Sequence, residues 1–298
     1  MAVWGASAFG QTVASDPARR ESGATHQDRG ETATVNVSRR SVGLLHPGEM
    51  GAALGEVLVK AGHRVVWASM GRGAQTHHRA DAAGLEDVGT ATALAKTAEV
   101  ILSVCPPSAA TETATSVGTF DGLYVDANAI SPRTARAVAG IVVGNGGTFV
   151  DGGLIGRPPH RSGDVRLYLS GPTGAAASNL FATSPVAARI VGKVIGDASA
   201  LKCAYAAWTK GTTALLLGVS RYARATGVEQ ALFDEWADSQ PHLAAQYELS
   251  VAASRAKGWR WIAEMREIAT AFESESLPSG FHDAAAEIFE RVPDAEDG

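Results

Sequence analysis

Over its first two thirds the chain alternates short apolar runs with alanine-rich stretches of helical character, and then the alternation stops. Strands are predicted at 41–45, 64–68, 100–104, 123–126, 148–151 and 165–170. The stretch 49–60 between the first two places Met50, Leu54, Val57 and Leu58 at helical spacing, with Gly62 suited to the cap. Strands separated by helices imply a parallel sheet covered on both faces. Beyond about Gly196 the strand signals end; 198–226 reads as one long helix, followed by helical pieces to Arg291. We therefore expect an α/β domain over 40–196 and an all-helical domain over 197–298. Residues 1–39 carry no apolar period and read as a flexible extension.

Composition narrows the function classes. A length of 298 residues suits two domains, and 45% hydrophobic with 19% charged residues is ordinary for a globular protein. The net charge is −5 and no basic run stands out, which argues against a nucleic-acid partner. The two cysteines, Cys105 and Cys203, lie in apolar surroundings without CxxC spacing. Neither a disulfide framework nor a metal site is expected, and a cytoplasmic location fits. No apolar run reaches the ~20 residues of a membrane span, and the first residues lack the pattern of a secretory signal. His77-His78 has no third ligand nearby and reads as a polar loop.

The turn after the first strand bears on chemistry. Its hexad is His46-Pro47-Gly48-Glu49-Met50-Gly51. A phosphate-cradling turn uses one glycine to turn tightly, a second to admit the pyrophosphate and a third to seat the helix on the strand. The helix-start N–H groups then meet the phosphates. The second and third glycines are present; His46 replaces the first, and histidine tolerates unusual backbone angles better than a β-branched residue does. After the second strand, 65–72 holds no acid to take a ribose 2′-hydroxyl but offers Ser69 and Arg72, which suit a 2′-phosphate. NADP (NADPH) is expected ahead of NAD.

With these residues the chain resembles the β-hydroxyacid dehydrogenase and 6-phosphogluconate dehydrogenase superfamily, from about residue 40 to 291. The glycine pattern runs from Gly43 through His46 and Gly48 to Met50 and Gly51. ILSVCPP supplies Val104, Cys105 and Pro106, and VDANAISP supplies Asp126, Asn128, Ser131 and Pro132. DGGLIGRPPHRSGDVRLYLSG resembles the substrate segment, and GDASALKCAYAAWTKG places the family's lysine at Lys202. The likeness is closest to a subgroup with K-x-A-Y-A-A-x-x-K-G and a tryptophan-rich tail. It implies an α/β Rossmann-type N-terminal domain followed by an all-α C-terminal domain. It also implies cofactor contacts from His46, Pro47, Gly48, Glu49, Met50, Ser69, Arg72, Val104, Cys105, Pro106 and Asn128.

Hydride transfer to or from a carbonyl or imine carbon needs a proton relay on the heteroatom, a role for Lys202. The family's two amides beside the lysine are here Tyr205 and Ala206. Tyr205, three residues after Lys202, is a second catalytic candidate. The glutamate that phosphogluconate enzymes carry seven residues after the lysine is here Thr209, which argues against 6-phosphogluconate as substrate. The family's carboxylate-binding Ser-Gly-Gly corresponds to Ile155-Gly156-Arg157, so Gly156 and Arg157, with Ser131 and Glu264, are the substrate-binding candidates; His160 is weaker. The expected function is NADP-dependent hydride transfer between nicotinamide and a small anionic hydroxy acid or its carbonyl counterpart. Imine reduction and a non-catalytic NADP-binding sensor are the alternatives. The crowded apolar residues Leu215, Leu216, Leu217, Val219 and Tyr222, with the family's habit of pairing through this helix, lead us to expect a homodimer rather than a membrane or nucleic-acid partner.

Overall fold

The computed structural model describes residues 38–292, so the extension predicted over 1–39 lies almost wholly outside the described residues. The α/β part runs β1 (Ser41–Leu44), α1 (Glu49–Lys60), β2 (Arg64–Trp67), α2 (Ala74–Ala82), β3 (Glu86–Asp87), α3 (Ala91–Thr97), β4 (Val100–Ser103). A short 3-10 turn (Pro107–Ala109) leads into α4 (Ala110–Val117), β5 (Leu123–Asp126), α5 (Pro132–Gly144), β6 (Thr148–Gly156), β7 (Val165–Ser170), α6 (Gly174–Asn179) and β8 (Ala187–Gly192). The helical part follows as α7 (Asp197–Ala225), α8 (Glu229–Ser239), α9 (His242–Ser274) and α10 (Gly280–Glu290). This is the Rossmann-type architecture followed by an all-α region.

The strands form one sheet in the order β3-β2-β1-β4-β5-β6-β7-β8. Pairing is parallel from β3 to β6. β7 runs antiparallel to β6, which corrects the expectation of a wholly parallel sheet. The short link between β6 and β7 cannot cross the sheet and can only form a hairpin. β6 also extends five residues beyond the predicted Asp151, through Gly152-Gly153 to Gly156. β3 and β8 were not anticipated. β3 is two residues long, and β8 is an edge strand whose Ile190 and Val191 face outward, so neither alternates as a half-buried strand does.

One apolar layer, including Leu54, Leu58, Trp67 and Leu102, lies on one face of the sheet; another, including Leu94, Ile101, Tyr124 and Phe149, fills the other. A third cluster, built on Met265, Ile268 and Phe289, holds α7, α9 and α10 together. The two parts meet at a buried carboxylate. Asp151 of β6 accepts hydrogen bonds from the Gly196 and Ser199 amides, each at 3.0 Å, from Ser199 Oγ at 2.6 Å and from Ser170 Oγ at 2.9 Å. A negative charge at the start of α7 meets the positive end of the helix dipole. Asp151 thereby fixes the first turn of the helix that carries Lys202.

Candidate active site

Strand order reverses between β1 and β4, and the carboxyl ends of β1, β2, β4 and β5 open onto one crevice there. Ligands of open α/β sheets bind at such a switch point. The turn 45–48 enters α1 through Gly48, an extended N-cap whose helix start receives no side-chain cap. The first-turn amides are thus left for an anion. A Cβ on Gly51 would stand 2.3 Å from the His46 carbonyl oxygen, so the third glycine is sterically required. His46 needs no glycine-like conformation: among the described residues only Ser276 combines a side chain with positive φ.

The His46 side chain has a specific partner. Its Nδ1 lies 2.8 Å from Arg72 Nη1, while Arg72 Nη2 donates to the Leu45 carbonyl at 3.3 Å. Arg79 Nε donates to the Pro47 carbonyl, also at 3.3 Å. Burial holds the imidazole below its ordinary pKa, and the neighbouring Arg72 and Arg79 charges act in the same direction. Since a guanidinium can only donate, His46 Nδ1 is the acceptor in this contact. Beside it a cleft of about 310 Å³ is lined by Leu45, Ala68, Met70, Arg72, Gly89 and Thr113, among others. Ser69 is engaged by Asp87 of the adjacent strand, an acid that β2 alone does not reveal; the Gly89 amide and then the Ser69 hydroxyl hold that carboxyl below its usual range. Glu49, in the first turn of α1, pairs with Arg260 of α9 at 3.3 Å.

The loops after β4 and β5 are tied together by Asn128. Its Oδ1 accepts from the Cys105 amide at 2.6 Å, and its Nδ2 donates to Ser103 Oγ at 3.1 Å and Asp126 Oδ2 at 3.0 Å. Asn128 is buried, so it shapes the crevice wall formed by Val104, Cys105 and Pro106 from behind. Desolvation pushes the Asp126 carboxyl up to about 7, a shift its hydrogen bonds from Asn128 only partly offset. Burial raises the Cys105 thiol and takes Cys203 up to about 12, so neither is a nucleophile near neutrality.

Lys202 projects from α7 against β6, where a Cβ on Gly153 would come within 3.0 Å of its own Cβ. Its Nζ is 3.4 Å from Glu264 Oε1, and both side chains are largely buried, at 15% and 10% exposure. Glu264 Oε2 is gripped by Lys210, two turns further along α7. The result is one carboxylate between two ammonium groups. Burial works to raise the Glu264 pKa, but the charges of Lys210 and Lys202 prevail and hold it below the ordinary value. Burial brings Lys210 down to about 8 against the opposing pull of Glu264. Among the described residues Glu264 Oε1 accepts no well-formed hydrogen bond, so its pairing with Lys202 is a loose one.

The remaining predicted residues fall elsewhere. Tyr205, three residues after Lys202 on α7, is 46% exposed. Arg157 lies on the exposed β6–β7 hairpin, where its Nε pairs with Asp164 at 3.1 Å. Gly156 closes that hairpin at φ +126, and it is Gly153, three residues earlier on β6, that faces Lys202. Ser131 is wholly buried; its Oγ caps α5 through the Thr134 amide, and its own amide donates to Glu267 of α9 at 2.7 Å. Asp151, Lys210 and Glu267 were not singled out from the sequence. Lys210 alone left a trace there, as the second lysine of K-x-A-Y-A-A-x-x-K-G.

Residues 41–129 match the family model described as NADP oxidoreductase, coenzyme F420-dependent, and 223–292 match a domain of unknown function, DUF1932. The uncharacterized 28.5 kDa protein in the 7S RNA 5′ region of Methanothermus fervidus is 28% identical over 142 residues, 47% of this chain. The match spans about half of that relative, 54% of its length. Among solved structures, MTH1747, a conserved protein of unknown function described as similar to 3-hydroxyacid dehydrogenases, superposes with a TM-score of 0.64 at 25% identity, covering 85% of this chain and 96% of its own. The Mycobacterium tuberculosis 3-hydroxyisobutyrate dehydrogenase with L-serine shares the fold at TM-score 0.64, 17% identity, and 87% and 95% coverage. The Aspergillus terreus reductive aminase with NADPH and ethyl levulinate shares it at TM-score 0.54, 16% identity, and 85% and 93% coverage. The nucleotide-binding part is thus similar to NADP oxidoreductases, and the architecture is the one that MTH1747 shares with 3-hydroxyacid dehydrogenases.

Proposed function

We propose that the protein is an NADP-dependent oxidoreductase acting on a small anionic hydroxy acid or its carbonyl counterpart, with Lys202 as general acid and base. The observation that carries this reading is Lys202 itself, half of a buried lysine–carboxylate pair held against Gly153. The cofactor fits the residues present. The uncapped start of α1, the clash that forbids a side chain at Gly51, and the cleft beside Arg72 suit the pyrophosphate and a 2′-phosphate. A cofactor held by these residues would supply hydride chemistry at its nicotinamide. Lys202 then passes a proton between its Nζ and the substrate oxygen, and two ammonium groups against one carboxylate leave an excess positive charge for an anionic substrate. Arg72, rather than Ser69, is the group we assign to the 2′-phosphate, because Ser69 already serves Asp87. We further propose a cytoplasmic homodimer joined through α7.

The test is calorimetric titration with NADPH and NADH, then an absorbance screen of hydroxy acids, keto acids and imines. The expected result is turnover of an anionic hydroxy or keto acid that Lys202→Ala abolishes while NADPH binding persists. Turnover of imines alone moves the reading to imine reduction. Cofactor binding without turnover across the panel moves it to a sensor, and absence of cofactor binding ends it.

A further inference from the structure

We propose that His46 is a specificity-determining positioning residue: by standing where a phosphate turn ordinarily has glycine, it holds the Arg72 guanidinium ready for the 2′-phosphate and so makes the site select NADP over NAD. The inference rests on the cofactor reading above.

The geometry is unusual for its economy. Arg72 lies on the loop after β2 and has a long, flexible side chain. Two contacts from the neighbouring turn restrain it, His46 Nδ1 at 2.8 Å from Nη1 and the Leu45 carbonyl at 3.3 Å from Nη2. The second is backbone and would survive any substitution; the first exists only because residue 46 has a side chain. Arg72 Nε is buried and has no partner among the described residues, so the fork keeps an unused donor. Planar, bidentate capture of a phosphate is the task guanidinium suits best, and fixing it beforehand lowers the ordering cost of binding. The other charges around the cleft do not do this. Arg79 is occupied by the Pro47 carbonyl and by Thr76, Asp87 by Ser69 and Gly89, and Glu112 on the cleft wall is an acid.

Glycine at 46 would keep the turn, because the backbone there lies in an ordinary region and the close approach belongs to Gly51. It would lose the acceptor. Asparagine would restore an acceptor near the place of Nδ1. Titrating wild type, His46→Gly, His46→Asn, Arg72→Ala and the His46→Gly/Arg72→Ala double variant with NADPH and NADH by calorimetry decides the matter. We expect wild type to favour NADPH, and His46→Gly to weaken NADPH by roughly tenfold, the scale of one hydrogen bond to a charged group, with NADH changed less than about twofold. His46→Asn should recover most of the loss, and His46→Gly should add nothing once Arg72 is Ala. Retained NADH binding in each variant reports an intact fold. An unchanged NADPH-to-NADH ratio in His46→Gly, equal ratios in the Gly and Asn variants, additive effects in the double variant, or a wild type that favours NADH each overturns the inference while leaving the dehydrogenase reading standing. A wild type that binds neither cofactor overturns that reading instead.

Discussion

At the scale of single residues, the site combines parts that resist replacement with parts that tune. Glu264 lies between two lysines, so Glu264→Gln leaves two buried ammonium groups facing each other with no countercharge. We expect that change to cost about 3 kcal/mol or more of stability, read from urea unfolding, since removing one member of a buried ion pair leaves uncompensated charge. His46 provides a pH signature. Its folded pKa is depressed below the ordinary value of 6.5, so the folded state favours the neutral ring. The contribution is present above pH 6.5 and is lost as pH falls below it through the folded value. Wild type should therefore lose stability relative to His46→Asn as pH is lowered beneath 6.5, with a constant difference above; a constant difference throughout would remove His46 as the titrating group. Lys202 was legible from the sequence because it interrupts an apolar helix stretch within a longer motif. Its partners were less so. Lys210 and Glu264 are fifty-four residues apart, and nothing local in either shows that they share a charge.

At the scale of elements, the placement of the lysine depends on how closely α7 approaches β6. Gly153 has no room for a methyl group, which would lie 2.9 Å from the Ala198 carbonyl and 3.0 Å from Lys202 Cβ. Gly153→Ala should move α7 outward and lower kcat by at least about tenfold, since small misplacements of a catalytic group are costly. Calorimetry should still find NADPH bound, because the phosphate turn is on the other side of β5. The central strands were readable because each is a buried, nearly continuous apolar run. The hairpin to β7 and the edge strand β8 escaped because glycines and an outward-facing Ile190-Val191 carry no such period. Ser131 was visible as a helix start, and the structure gives it that work together with a hydrogen bond to α9.

At the scale of the whole molecule, α7 carries an exposed apolar row. Leu201, Tyr205, Trp208, Leu215 and Tyr222 recur at three-, four- and seven-residue steps, and Trp208 and Tyr222 are 74% and 69% exposed. Such a row favours a partner helix. We expect sedimentation to give a dimer and Trp208→Glu to shift it toward monomer; a monomeric wild type at micromolar concentration would count against the assembly. Cutting the chain within 193–196 has a different consequence. A fragment ending there would strand the Asp151 carboxylate in an apolar interior with the Gly196 and Ser199 donors gone. The fragment beginning there would in turn lack the anion that seeds its longest helix but one. The two parts are consequently a single heritable unit: neither can be borrowed for a chimaera unless the graft brings its own counterpart for that junction.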